Sequence, residues 1–207
     1  MADWIEEVKA AAGKNPVYND ILHYLMLRQS VPKVSEGVIG EDTYGTFTPG
    51  AEGGQVKLSW RMQDPPSRNR ALATLLHETT HAADRSMSNQ ALEAYQKSGW
   101  EKLPAEDQQY LDAYNKLRYG FEVRRDAKGK MPRQDLVEAL AKVWAEKEKD
   151  YRATDREISA FGVENMAGPH SISGWRAPDH VDATAATETM ILLDLAAKAM
   201  KAKQLQP

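Results

Sequence analysis

Apolar positions recur at helical spacing along most of the chain, and alternate only in one short section. Asp3 with Glu6 three residues later forms a capping-box pattern that opens a short helix, ended by Gly13. Pro16 starts a second helix with Val17, Ile21, Leu22, Leu25 and Met26 on its inner face, and residues 30–41, rich in Pro, Gly and Ser, form a loop. The β signal follows. Thr43 to Thr48 and Gln55 to Trp60 flank Pro49-Gly50-Ala51-Glu52-Gly53-Gly54, a turn sequence, and predict a hairpin. In its second arm Val56, Leu58 and Trp60 alternate with Lys57 and Ser59, giving one buried and one wet face.

Pro65-Pro66-Ser67 introduces a helix over Arg68 to Met87. Further helices are expected over 88–97, 104–119 (Pro104 at its start, Gly120 at its end) and 133–165, the last with a break near 153. Gly168 to Pro178 is a loop, and a final helix over 180–203 carries Ala183-Thr184-Ala185-Ala186. The segment 88–153 holds no motif, and extra core helices are expected there rather than a lid. There is no repeat, low-complexity segment or linker, so the expectation is one mainly helical α+β domain spanning 1–207, with a small sheet.

Composition narrows the function classes. The 207 residues are 42% hydrophobic and 28% charged, as in ordinary globular proteins, with a net charge of −3. That charge argues against nucleic acid as a partner, and the basic residues Arg124, Arg125, Lys128 and Lys130 read as a solvated loop. With no cysteine there is no disulfide or thiolate site, leaving His, Asp and Glu as the ligands for a transition metal. The first residues are acidic, without the apolar core of a secretory signal, and no apolar run is long enough to cross a membrane. A cytoplasmic protein without a membrane partner is expected.

The chemistry lies in His77-Glu78-Thr79-Thr80-His81. A spacing of four turns a helix by about 40°, so both imidazoles share one face and can reach a single Zn²⁺ at about 2.0–2.1 Å. Glu78 sits about 100° around from His77, too far to ligate easily but able to reach a water on the metal as a general base. The plain alternative is a surface helix with two solvated histidines. Leu72, Leu75, Leu76 and Ala83 oppose it by giving the helix an apolar side, and a buried histidine needs a partner or a metal. An edge strand just before the helix would let a peptide substrate add as a further strand.

Leu75 to Asp84 resembles the active-site helix of the zincin metallopeptidases, in particular the gluzincin branch. The resemblance covers the hairpin, the motif helix and one later segment, about a third of the chain. It implies a zincin-like domain with a small sheet before the active-site helix, a zinc cofactor, a peptide or protein substrate, and a third ligand from a Glu on a later helix. Asp155-Arg156-Glu157-Ile158-Ser159-Ala160-Phe161 resembles that later helix and makes Glu157 the ligand, with Ser159 and Ala160 allowing close packing. Arg156 and Phe161 stand where the thermolysin pattern has Asn and Asp, so the residues supporting the ligands must differ.

Other readings remain beside it. Thr154-Asp155-Arg156-Glu157 is also a capping box, and Glu164, seven residues on, shares the helical face of Glu157 and competes with it as the third ligand. Asp84 is either a third ligand, an acceptor orienting a ligand imidazole, or half of an ion pair with Arg85 or Arg68. His170 and His180, with Arg176 between them, are the candidates for the oxyanion donor that gluzincins take from beyond the motif helix; His180 could equally cap the last helix. His23, among Ile21, Leu22 and Leu25, reads as a structural histidine. The activity expected is hydrolysis of peptide bonds by zinc-activated water, with Glu78 passing the proton to the leaving amine. The rival is a non-catalytic structural or assembly protein, for example phage-associated, that retains a zincin fold. The intact Glu78 counts against it.

Overall fold

A computed structural model describes residues 3–41, 43–98, 102–119, 160, 162–164 and 183–205. Two N-caps set the first helices. Asp3 accepts from the Ile5 amide to start α1 (Trp4–Ala12), and Asn15 accepts from Val17 and Tyr18 to start α2 (Pro16–Leu27), with Pro16 at its first position. Glu6 does not complete a capping box, because its carboxylate takes Lys9 instead, at 2.7 Å. Tyr18, Ile21, Tyr24 and Leu25 form the buried face of α2. Met26, expected inside, is 66% exposed, and His23 is exposed rather than a core histidine. The apolar positions of α2 run around too much of its circumference for pattern alone to choose the face.

The hairpin forms from β2 (Gly45–Thr48) and β3 (Gln55–Ser59), paired from Gly45↔Leu58 to Thr48↔Gln55. The expected loop at 30–41 contains a third strand, β1 (Lys33–Gly37), which runs parallel to β3 from Lys33↔Gln55 to Gly37↔Ser59. Its half-exposed Lys-Val-Ser-Glu-Gly sequence has no apolar alternation; backbone pairing with β3 makes the strand. The order is therefore β1-β3-β2, with β3 central and β2 at an edge among the described residues. Val56 and Leu58 are buried as expected, but Trp60 leaves the sheet in a 3₁₀ turn and is 46% exposed, while Ser59 is buried.

The two helices expected over 68–97 are one. α3 (Arg68–Ser98) runs unbroken for 31 residues and packs against α1, α2, β2 and β3. The polar stretch near residue 88 does not interrupt it, because those side chains bond to other elements instead of competing for the helix backbone. Ser86 meets Ser30 at 2.9 Å, Ser88 meets Tyr114 at 2.7 Å, and Gln90 bridges Tyr24 and the Ala196 carbonyl. α4 (Ala105–Tyr119) and α5 (Ala183–Gln204) pack on each other and on α3. α4 supplies core residues Tyr110, Leu111 and Tyr114, as expected for that part of 88–153. The described chain is mixed α and β, mainly helical, with a three-stranded sheet. Among its residues no helix is long and apolar enough to cross a membrane.

Burial pushes core phenols above their ordinary value near 10: Tyr95 to about 12, and Tyr18, Tyr24 and Tyr110 upward as well. Tyr95 also accepts a hydrogen bond from Asn115, which offsets part of its shift. The unfolded chain ionises these groups first, so their contribution is fully present below pH 10 and is lost as pH rises from 10 through 12. The urea midpoint is expected to hold from pH 7 to 9 and then fall steeply above pH ~10, with tyrosinate absorbance rising in step with unfolding. Ionisation well before unfolding would show the phenols to be solvent-accessible.

Candidate metal site

The motif occupies the third and fourth turns of α3, inside the packed part of the molecule. His77 and Glu78 are buried, His81 is half-buried, and Leu75, Leu76, Ala82 and Ala83 beside them belong to the core. The two threonines between the motif residues are also buried. Thr79 donates to the Leu75 carbonyl at 2.6 Å and Thr80 to the Leu76 carbonyl at 2.9 Å, so neither hydroxyl needs a partner outside the helix.

The imidazoles converge. Their Nε2 atoms lie 3.1 Å apart and the ring planes cross at 83°. Two nitrogens on one tetrahedral ion, each at about 2.0–2.1 Å, stand roughly 3.3 Å from each other. The observed spacing fits that requirement closely. Two neutral rings can also share one hydrogen bond at this distance.

Glu164 belongs to a short helical stretch at residues 162–164 and is buried. Its Oε2 stands 3.5 Å from Nδ1 of His77, the ring nitrogen other than the one converging on His81. A small rotation of either side chain closes that gap into a hydrogen bond, the arrangement by which a carboxylate orients a metal-binding imidazole. Among the described residues no group of three or more His, Cys, Asp or Glu is placed to hold an ion together. Glu157, His170, Arg176 and His180 lie outside the described residues.

Asp84 shares the helical face of His77 and His81, yet its carboxylate turns to a different partner. Arg118 of α4 reaches Asp84 Oδ1 at 2.7 Å, and the same guanidinium nitrogen lies 3.2 Å from the Thr189 hydroxyl of α5. The ion-pair expectation was right in kind and wrong in partner. Arg68 instead pairs with Glu7 at 3.2 Å and lies over the Trp4 ring.

Gly45 opens β2 directly above the motif. A side chain there would collide with Thr74 Cγ2 and come within 3.0 Å of Glu78 Cγ, so the missing Cβ lets the edge strand sit on the glutamate. The strand next to the helix in sequence, β3, was expected to lie at an edge and is instead central, because β1 pairs on its other side; among the described residues the edges are β1 and β2, of which β2 lies on Glu78. Neither Gly45 nor Arg118 carried a sequence signal, since each acquires its role through a contact with a distant element. Comparison with protein-family models, curated proteins and solved structures finds no match.

Proposed function

We propose that this chain is a zinc-dependent peptidase of zincin-like, gluzincin type. The observation that carries the reading is the 3.1 Å approach of the His77 and His81 nitrogens, with Glu78 buried alongside on the same helix. The donor set suits the metal, since two imidazoles and carboxylates are what a cysteine-free catalytic zinc site uses. Bound zinc would supply Lewis acidity, polarising a substrate carbonyl and activating water at neutral pH.

The residues divide the remaining work. His77 and His81 hold the ion, and Glu164 orients His77 through Nδ1. Glu157 is proposed as the third ligand: seven residues before Glu164, it falls on the same face if the helix is continuous. Glu78 accepts a proton from the attacking water and delivers it to the leaving amine. Burial under Gly45 keeps this carboxylate against the edge strand, where an extended peptide pairing with β2 would bring its backbone. His170 and His180 remain the proposed donors to the developing oxyanion.

Zinc content by atomic emission tests the ligand set. About one zinc per chain is expected in the unmodified protein and none in Glu157→Ala. Glu164→Ala should retain zinc with affinity weaker by about 10–100-fold, the usual effect of losing an orienting partner. Complete loss in Glu164→Ala with full retention in Glu157→Ala would make Glu164 the ligand. An unmodified protein that takes up no zinc would favour the structural or assembly role over the enzyme.

A further inference from the structure

A cavity of about 340 Å³ lies where α1, α2 and β1 meet α3. The motif helix contributes Thr79 to its lining, two residues after His77. Two residues turn a helix by about 200°, so Thr79 faces away from the imidazole side and the cavity lies on a different flank of α3 from the candidate metal site.

Most of the wall is apolar. Tyr18 and Leu22 come from α2, Val31 and Pro32 from the connection to β1, and Val34 from β1 itself. The two hydroxyls of the lining, on Tyr18 and Thr79, are buried and satisfy each other: Thr79 donates to the Leu75 carbonyl at 2.6 Å, and its oxygen takes the Tyr18 phenol. That end of the cavity therefore makes no demand for a polar group and suits hydrocarbon. The charged lining residues are Lys9 and Lys33, whose side chains are 41% and 77% exposed and so mark the solvent end. Each holds a carboxylate outside the lining, Lys9 with Glu6 at 2.7 Å and Lys33 with Glu52 at 3.2 Å. Ion pairs this exposed contribute little, and an ammonium has three donors, so both lysines can take a further anion without giving up these partners.

We propose that this cavity binds a free medium-chain aliphatic carboxylate, with its tail against Leu22, Val34 and Thr79 and its head at Lys9 and Lys33. A site with an apolar, internally satisfied depth and a cationic mouth is complementary to that one arrangement of charge and hydrocarbon. At roughly 30 Å³ for each non-hydrogen atom, the volume takes about a dozen atoms. That is one chain of about eight to ten carbons with its carboxylate, and too little for a two-chain lipid. The site depends on neither zinc nor peptide hydrolysis.

The test is isothermal titration calorimetry of octanoate, octanol and octylamine into the full chain. A zinc chelator is present, so that no carboxylate reaches a bound metal. Octanoate is expected to bind once per chain, about fivefold tighter than octanol, with octylamine weaker than both and a negative heat-capacity change for each. The double variant Lys9→Gln with Lys33→Gln should bind octanoate no better than octanol and leave octanol binding unchanged. Leu22→Trp fills the cavity and should abolish binding of both. If that variant does not fold, Val31→Trp serves, at a lining position 39% exposed and so tolerant of a larger ring. Absence of saturable octanoate binding overturns the site. So does octylamine binding as tightly as octanoate, a preference for octanoate that survives loss of both lysines, or binding unchanged in the folded tryptophan variant. Zinc uptake by the same protein without chelator judges the peptidase reading separately.

Discussion

Glu78→Gln is expected to retain about one zinc per chain and to lose peptide turnover by about 10²–10⁴-fold, the range that a positioned general base contributes. The substitution keeps the size and shape of a side chain packed beneath Gly45, so neither the edge strand nor the imidazole pair is disturbed. What disappears is the ability to take a proton from water. The comparison with His81→Ala is informative, because that variant should lose zinc and activity together. Zinc content and turnover measured on the same preparations make the check. A Glu78→Gln protein as active as the original would place the base elsewhere.

The second large effect is on stability. Asp84→Ala removes the carboxylate from a pair whose side chains are 5% and 13% exposed, leaving the Arg118 guanidinium charged in a dry environment. Breaking a buried pair from one side costs about 3–5 kcal/mol, a large part of the stability of a domain this size. The cost should appear as a lower urea midpoint with an unchanged slope. Replacing both partners, Asp84→Ala with Arg118→Met, should recover most of the loss, because no charge then stays buried without its counter-ion. Zinc content of the folded Asp84→Ala protein should remain near one per chain. Loss of zinc at unchanged stability would instead make Asp84 an orienting residue of the metal site.

The difference between these two acidic residues shows how far a local pattern reaches. Glu78 and Asp84 lie on one helix, and the His-Glu-x-x-His spacing assigns the first its role without knowledge of any other segment. Nothing local assigns Asp84, because Arg118 lies 34 residues away and meets it only when α4 packs on α3. Glu164 is similar. Helical periodicity places it on the face of Glu157, but its position 3.5 Å from His77 Nδ1 depends on how its helix docks.

The same division runs through the fold. The cap at Asp3, the helix starts at Pro16 and after Pro104, and the β2–β3 hairpin were legible because each depends on residues a few positions apart. The third strand was not, since Lys33 to Gly37 has little strand character until β3 supplies its hydrogen bonds. Two helices, over 68–87 and 88–97, were expected where α3 runs unbroken, its polar residues near 88 held by long-range hydrogen bonds to Ser30, Tyr24 and Tyr114. By itself the sequence determined where helices begin, which strands turn back on each other, and that two imidazoles share a helical face, all through steric and hydrogen-bonding preferences acting within a turn or two. Tertiary structure alone decided which strand lies at the edge, which carboxylate meets His77, and that Gly45 rests on Glu78, because those contacts join segments the chain pattern does not connect.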